Sequence, residues 1–179
     1  MALLPIVRLG HPALRTPASR VPPVELRSAA AQRLIDDMIE TMRAAEGVGL
    51  AAPQVGVGWQ LFVYEAAEEI PLRVLVNPTV EPEAGDPVID WEGCLSIPDL
   101  RGLVPRHPAV RVRGLDRHGS PVDYRAEGFE ARIVQHENDH LHGVVYLDRM
   151  TDFRSLAFLA EWHEHLVGGD ETTDGERPE

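Results

Sequence analysis

The amino-acid sequence predicts an α+β fold in which antiparallel strands pack around a central helix. Helical and strand patterns follow one another as helix, strands, helix and helix, without the β-α-β alternation that builds parallel sheets. At 179 residues, with 44% hydrophobic and 26% charged residues, the chain has the size and balance of a globular domain. We predict one domain over residues 1–167 and an acidic, disordered tail over 168–179.

A helix is predicted between Ser28 and Gly47. Apolar residues recur at helical spacing from Ala31 to Met42. Ser28 is a suitable N-cap, and Gly47 is a suitable stop. The proline-punctuated stretch 10–27 before it is predicted to be irregular chain.

Strands follow the glycine-rich segment 47–56. Residues 59–64 and 72–77 show strand patterns, and Pro78 is predicted to end the second. The proline- and acid-rich stretch 81–90 is interpreted as a surface connection. These elements supply the first part of the sheet.

An antiparallel hairpin and two helices complete the predicted fold. Alternating apolar residues over 110–114 and 122–126 flank a turn at 116–120 and indicate the hairpin. A helix is predicted over 129–142, and a last amphipathic helix over 152–167.

The helix at 129–142 contains the pattern His136-Glu137-x-x-His140. Residues four apart lie about 40° apart around a helix axis, so both imidazoles can face one metal ion. Glu137 then lies where a carboxylate can handle protons on a water that the metal activates. Two histidines leave the ligand set incomplete, because a catalytic zinc-type site takes three protein ligands.

Two residue types compete for the third ligand, a cysteine and a downstream glutamate. Cys94 is the only cysteine, and a thiolate with two imidazoles and an open fourth position makes a catalytic set. Glu161 or Glu164 would instead complete the set of a zinc peptidase. We favour Cys94.

Composition excludes several other classes. A formal net charge of -12 argues against broad nucleic-acid binding. The sequence contains no lysine, which excludes a Schiff-base mechanism. No apolar run reaches the roughly 20 residues of a membrane span, and Pro5 interrupts the start too early for a signal peptide. The expected compartment is the cytoplasm.

Three segments resemble the signature motifs of the peptide deformylases, in the same order. They are Gly47-Val-Gly-Leu-Ala-Ala-Pro-Gln54, Glu92-Gly-Cys-Leu-Ser96 and Gln135-His-Glu-Asn-Asp-His140. The resemblance covers about residues 3 to 150. It implies the deformylase fold and a metal-dependent hydrolase that removes the N-formyl group from the initiator methionine of nascent proteins and releases formate.

The resemblance also implies catalytic roles. The metal ligands would be Cys94, His136 and His140, and Glu137 would be the general base and acid. The side-chain amide of Gln54 and the backbone N–H of Leu95 would stabilise the oxyanion.

The same resemblance implies substrate contacts. They involve backbone groups near Val48, Gly49 and Gly93, which would hold the peptide like an added strand. Glu92 and Arg132 complete this set. Glu92 would pair with Arg106 near the site, with an ordinary surface ion pair as the alternative. The stem of Arg132 would line the methionine pocket while its charge reaches water.

The implied cofactor is one divalent metal ion. Fe²⁺ is expected, and Zn²⁺, Ni²⁺ or Co²⁺ could substitute. The substrates would be N-formylmethionyl nascent peptides, and the family suggests a monomer. Residues 153–179 contain only Arg154 and Arg177 as basic residues among many acidic ones, so ribosome contact is expected to be weak or absent.

Two further classes remain open beside the zinc peptidase. One is an inactive relative that binds peptides without turnover; the presence of Glu137 and Gln54 weighs against it. The other is a Cys–His nucleophilic hydrolase that uses Cys94 with His136, in which the spaced histidine pair would have no purpose.

Overall fold

The computed structural model describes residues 2–66 and 70–167. Its strands are β1 (Gly49–Ala51), β2 (Leu61–Ala66), β3 (Ile70–Pro82), β4 (Val88–Cys94), β5 (Ile97–Arg106), β6 (Ala109–Leu115), β7 (Pro121–Glu127) and β8 (Ala157–Phe158). Its α-helices are α1 (Pro23–Leu26), α2 (Ala29–Ala44), α3 (Gly128–Leu141) and α4 (Leu159–Glu161), the last continuing as a π-helical turn over Trp162–Val167.

The strands form two antiparallel sheets. One has five strands in the order β1-β2-β3-β6-β7, and the other has three in the order β4-β5-β8. Along β2, Phe62 and Tyr64 pack with residues of α3, whereas Leu61 and Val63 pack with residues of α2. Because side chains alternate along a strand, the two helices cover opposite faces of the five-stranded sheet. This confirms the predicted α+β fold.

Several predicted elements are confirmed. α2 begins after Ser28, whose Oγ accepts a hydrogen bond from the Ala31 N–H at 3.1 Å. β6 and β7 form the predicted hairpin. α3 spans almost the predicted range, and Gly143 follows it with a φ of 73°.

The predicted end of a strand at Pro78 is wrong, because β3 continues to Pro82. The pairing between β3 and β6 shifts between Val76 and Thr79, and Asn77 has a φ of 52°. At such a bulge a proline removes no regular ladder bond. The Asn77 side chain stabilises the bend by bonding both backbone groups of Val21, at 2.7 and 2.9 Å.

The surface connection predicted over 81–90 is also wrong in extent. β4 starts at Val88 and pairs with β5 in a hairpin that the sequence analysis missed. Its two-residue turn, Leu95 and Ser96, follows directly after Cys94. The hairpin therefore places Cys94 at the end of a strand.

The last predicted helix is wrong in its first half. After a 3₁₀ turn at Phe153–Ser155, β8 pairs Ala157 with Arg101 and Phe158 with Leu100. Strand pairing along the free edge of β5 thus replaces helix until Leu159. The stretch 10–27 is irregular as predicted, apart from α1 and one 3₁₀ turn at Pro12–Leu14.

The predicted tail over 168–179 lies outside the described residues. None of the helices described in the structure combines the length and apolarity that crossing a membrane requires.

Candidate metal centre

The structure brings Cys94, His136 and His140 together. One ligand atom from each lies within 4.8 Å of the other two, and all three side chains are buried. Sγ of Cys94 is 3.3 Å from Nε2 of His140. The two imidazole rings, one helical turn apart on α3, have centroids 5.0 Å apart and planes 75° apart. The thiol from the β4–β5 hairpin thus meets both imidazoles from α3.

The orientation of His136 is set by Glu92. Nδ1 of His136 lies 2.9 Å from Oε2 of Glu92, so the carboxylate accepts that N–H and Nε2 is left for the metal. Burial opposes ionisation of Glu92, but hydrogen bonds from His136 and Arg106 prevail and hold its pKa well below the usual value. Glu92 therefore remains a carboxylate.

The two imidazoles differ in their surroundings. Burial alone would lower the pKa of His136, but hydrogen bonds with Cys94 and Glu92 outweigh it and raise that pKa well above the usual value. For His140, burial and then the positive charge of His136 lower the pKa well below the usual value. The neutral form of His140 is the one that binds a metal.

Glu92 also belongs to a buried ion cluster. Arg106 bonds both of its oxygens, at 2.8 and 3.0 Å, and reaches Asp139 at 2.6 Å. The other oxygen of Asp139 accepts a bond from Arg149 at 2.7 Å. The pair of Glu92 and Arg106 is thus no ordinary surface ion pair, because both residues are only 5% exposed.

The prediction for Arg132 needs correction. Arg132 is among the residues that line the cleft, but its charge does not reach water, since the residue is only 7% exposed. The guanidinium donates to Oε1 of Glu92 and to the backbone oxygens of Val104 and Val88, at 2.9, 2.9 and 2.8 Å. Arg132 therefore ties α3 to both strands of the hairpin that carries Cys94.

Glu92 was predicted as a substrate contact, and the structure gives its side chain other partners. Both carboxylate oxygens are engaged, by Arg106, Arg132 and His136. We therefore interpret Glu92 as a residue that positions His136.

Glu137 lies on α3, the helix that carries His136 and His140. It is buried, and its Oε2 has no hydrogen-bond partner among the described residues. Burial, only partly offset by the positive charge of His136, raises the pKa of Glu137 to about 7. Gly49 lies so close that a Cβ there would collide with the Glu137 carboxylate. A glycine is therefore needed where β1 passes this side chain.

The orientation of the Gln54 amide is fixed by the backbone. Its Oε1 accepts the N–H of Ala51 at 2.8 Å, so its NH₂ group is directed to the other side. There Nε2 lies 3.5 Å from Sγ of Cys94 and 3.4 Å from Oγ of Ser96. The amide therefore presents donors next to the thiol.

A cleft of about 610 Å³ opens onto this centre. All of the predicted catalytic and substrate-contact residues line it. They are Val48, Gly49, Gln54, Glu92, Gly93, Leu95, Arg132 and Glu137. Of the metal ligands, Cys94 and His136 line it directly. β1 is an edge strand of its sheet and borders the cleft through Gly49. The structure thus brings the predicted residues to one open space.

These residues fit a metal ion. A thiol and two imidazoles are the donors that divalent transition metals prefer. The unpartnered Oε2 of Glu137 beside them is an acceptor that an ordered water could satisfy. The donor set supports a divalent metal ion.

The zinc-peptidase alternative receives no support. Glu161 and Glu164 are exposed, and each lies within ion-pair distance of His165, at 3.4 and 3.9 Å. Within residues 2–66 and 70–167, the group of Cys94 with two histidines is the one that could hold a metal.

Sequence reasoning missed the outer part of the cleft. Trp91, Arg101 and Leu159 line it together with the predicted residues. For Trp91, alternation along β4 was the available signal, because its side chain and that of the adjacent Glu92 point to opposite sides of the strand. It went unused because β4 was not recognised as a strand.

Comparisons with known proteins agree with this geometry. Residues 3–155 match the polypeptide deformylase family. Peptide deformylase 2 of Pseudomonas putida is 46% identical over 161 residues, which span 86% of this chain and 90% of that protein. Peptide deformylase 1 of Nitrosomonas europaea is 43% identical over 162 residues, 86% of this chain and 91% of that protein.

Solved structures are similar as well. A peptide deformylase from Synechococcus elongatus in complex with actinonin is 42% identical, with a TM-score of 0.78 over 85% of this chain and 81% of that one. A class I type b peptide deformylase from Acinetobacter baumannii with Met-Ala-Ser bound is 36% identical, with a TM-score of 0.79 over 83% of this chain and 99% of that one. The chain therefore belongs to the peptide deformylase family, and its activity is removal of the N-formyl group from nascent peptides.

Proposed function

We propose that Cys94, His136 and His140 hold the metal ion of this deformylase and that Glu137 carries the proton. The observation that supports this most strongly is the convergence of the three ligand atoms within 4.8 Å, next to a buried carboxylate with an unpartnered oxygen. When bound, the metal supplies Lewis acidity, which lowers the pKa of water and polarises a carbonyl.

Glu137 is suited to move a proton in both directions. A pKa of about 7 lies close to neutral pH, and a cation beside the carboxylate would lower it toward the ionised form. As a base, the carboxylate takes the proton of the attacking water. It then donates that proton to the amine that leaves when the C–N bond of the formamide breaks.

Gln54 and Leu95 are proposed to stabilise the negative charge on the former formyl oxygen. The bond from Ala51 directs the Gln54 NH₂ group toward Cys94, and Leu95 is the first residue of the adjoining turn. Loss of one such donor typically lowers the rate by about 10²–10³.

The peptide is proposed to lie along the free edge of β1, near Val48 and Gly49, and opposite Gly93. Backbone bonds to an edge strand fix the direction of a peptide without reading its sequence. The Met-Ala-Ser peptide bound to the Acinetobacter baumannii relative supports a peptide ligand for this cleft. The stem of Arg132 contributes to the wall of the methionine pocket.

Further properties are proposed from the sequence and the donor set. Because a thiolate donates charge to the metal, Fe²⁺ is the proposed ion, with Zn²⁺, Ni²⁺ or Co²⁺ as substitutes. The protein is proposed to act in the cytoplasm as a monomer on formylmethionyl nascent peptides, with at most weak ribosome contact.

Formate release from a formyl-Met tripeptide tests this proposal. We expect the anaerobically purified, metal-loaded protein to release formate, and chelation to abolish release. We expect Glu137→Gln to keep the metal and to lose at least about 10²-fold in kcat, as removal of a general base does. Release that survives complete metal removal would instead support the Cys–His nucleophile, and a metal-loaded protein that only binds the peptide would support the inactive relative.

A further inference from the structure

The C-terminal segment 157–167 forms part of the cleft wall. β8 attaches it to β5, the strand that pairs with the Cys94 strand. Leu159, the first residue after β8, lines the cleft together with Trp91, Gly93 and Arg101. A segment outside the three motifs thus borders the space in which they meet.

Trp162 supports this wall from behind. Its ring packs edge-on against Trp91, with centroids 5.9 Å apart and planes at 70°. The guanidinium carbon of Arg101 lies 5.8 Å from the centre of the same ring. Trp162 is half-buried, whereas the segment's other residues from Ala160 to Val167 are exposed. The Trp162 side chain therefore packs against two residues of the cleft wall.

Trp91 and Glu92 lie on opposite sides of β4. Glu92 points toward α3 and the buried ion cluster, so the Trp91 side chain points the other way, toward Trp162. Gly93 belongs to the proposed peptide path, and Arg101 lies directly over it. On the peptide path proposed above, the residues that follow formylmethionine would lie beside Leu159 and Trp91, which line the same cleft as Gly93.

We propose that Leu159 and Trp162 make a subsite that favours apolar or aromatic side chains at the two positions after formylmethionine. Leu159 contacts those side chains, and Trp162 holds Trp91 and Arg101 in place for the same contact. Aromatic and aliphatic walls gain most from burying apolar surface. The inference rests on the peptide path proposed above.

The ratio of kcat/KM for formyl-Met-Leu-Phe to that for formyl-Met-Gly-Gly tests the subsite. We expect the metal-loaded wild type to prefer the first peptide. Leu159→Ala and Trp162→Ala should each lower that ratio by about tenfold, mainly through KM for formyl-Met-Leu-Phe, as loss of one apolar contact does. The kcat/KM for formyl-Met-Gly-Gly should fall much less than that for formyl-Met-Leu-Phe, because its glycines offer no side chain to the wall.

Two controls separate specificity from folding. Leu166→Ala removes an apolar side chain of the same segment that is 51% exposed and outside the cleft, and it should leave the ratio unchanged. Trp162→Phe should retain most of the preference. Equal loss on both peptides, an unchanged ratio in both alanine variants, or a wild type without preference overturns the subsite. A wild type that releases formate from neither peptide overturns the proposed function as well.

Discussion

At the scale of single residues, His136 of the proposed ligand set depends on the carboxylate of Glu92, which accepts its Nδ1–H at 2.9 Å. Glu92 accepts bonds from His136, Arg106 and Arg132, each of which comes from α3 or β5. Buried charges are stable only when they are paired and hydrogen-bonded. Loss of one partner therefore leaves an uncompensated charge in the interior, which destabilises the fold. The imidazole of His136 is therefore held by an ion cluster around it.

Arg132→Met should destabilise the fold. The change removes the bond to Glu92 and leaves the backbone oxygens of Val88 and Val104 without that donor. We expect a loss of about 3 kcal/mol in the free energy of unfolding, measured in urea on the metal-free protein. Arg113→Met is the matched control, since the side chains of Arg113 and its partner Glu81 are 51% and 54% exposed and the loss of this pair should cost far less. Equal losses in both variants would contradict the account.

Gly49→Ala should impair catalysis and spare metal binding. A methyl group there collides with three atoms of the Glu137 side chain, so the carboxylate must move. Misplacement of a catalytic group by about 1 Å can cost about 10²-fold in rate, which we expect in kcat at unchanged metal content. Gly58→Ala is the control, because a Cβ at Gly58 meets no neighbouring atom within 4 Å. If Gly49→Ala retains full kcat, Glu137 does not occupy the position described.

The identity of the site residues was more predictable than their partners. The spacing of His136 and His140 and the presence of one cysteine indicated the ligand set from sequence alone. The bonds of Arg132 were not predictable, because their acceptors are backbone oxygens of strands distant in sequence. An arginine one turn before a metal ligand could equally have extended into water.

At the scale of elements, the sequence predicted those whose ends are marked by local signals such as a cap, a glycine or a tight turn. α2 has its Ser28 cap and an apolar stripe, α3 ends before Gly143, and β6 and β7 alternate around a tight turn. β4 was missed because its strand pattern follows acids, a glycine and prolines that usually mark loops. The segment 157–158 is a strand only because β5 offers an edge to pair with, which is a tertiary effect that no local pattern shows.

Gly143→Ala should weaken the end of α3. Gly143 has a φ of 73°, and a Cβ there would lie 2.8 Å from the backbone carbon and oxygen of Arg15. Strain at positive φ and the backbone clash add, so we expect a loss of about 3 kcal/mol or more in the free energy of unfolding.

Gly119→Ala separates the two contributions to that loss. Gly119 has a φ of 85°, but a Cβ there meets only Cδ2 of Leu26, at 3.9 Å. It should cost about 1–2 kcal/mol, the strain alone. Equal costs at Gly119 and Gly143 would show that the contact with Arg15 places no constraint on the end of the helix.

At the scale of the whole molecule, two sheets with α3 between them assemble the centre. The five-stranded sheet supplies β1 and packs against the apolar side of α3. The three-stranded sheet supplies Cys94 and is tied to α3 by Arg106 and Arg132. Residues from three distant segments meet because one sheet packs against α3 and the other is joined to α3 by ion pairs and hydrogen bonds.

The overall charge predicts weak contact with ribosomes. At -12 formal charges, with acidic residues prevailing from 153 to 179, the chain should be repelled by ribosomal RNA. We expect no co-sedimentation with ribosomes above background at physiological salt, and no change on deletion of 168–179. A longer deletion would remove β8 and the cleft wall. Salt-sensitive co-sedimentation that the shorter deletion abolishes would contradict this prediction.

The absorption spectrum of the cobalt-substituted protein tests the proposed ligand set most directly. Cys94 is the only cysteine in the chain, so a thiolate-to-cobalt charge-transfer band can arise from no other residue. We predict that the wild type binds one Co²⁺ per chain with this band, that Cys94→Ala loses the band, and that Glu137→Gln keeps it. A wild type that binds Co²⁺ without the band would contradict the proposal that Cys94, His136 and His140 hold the metal.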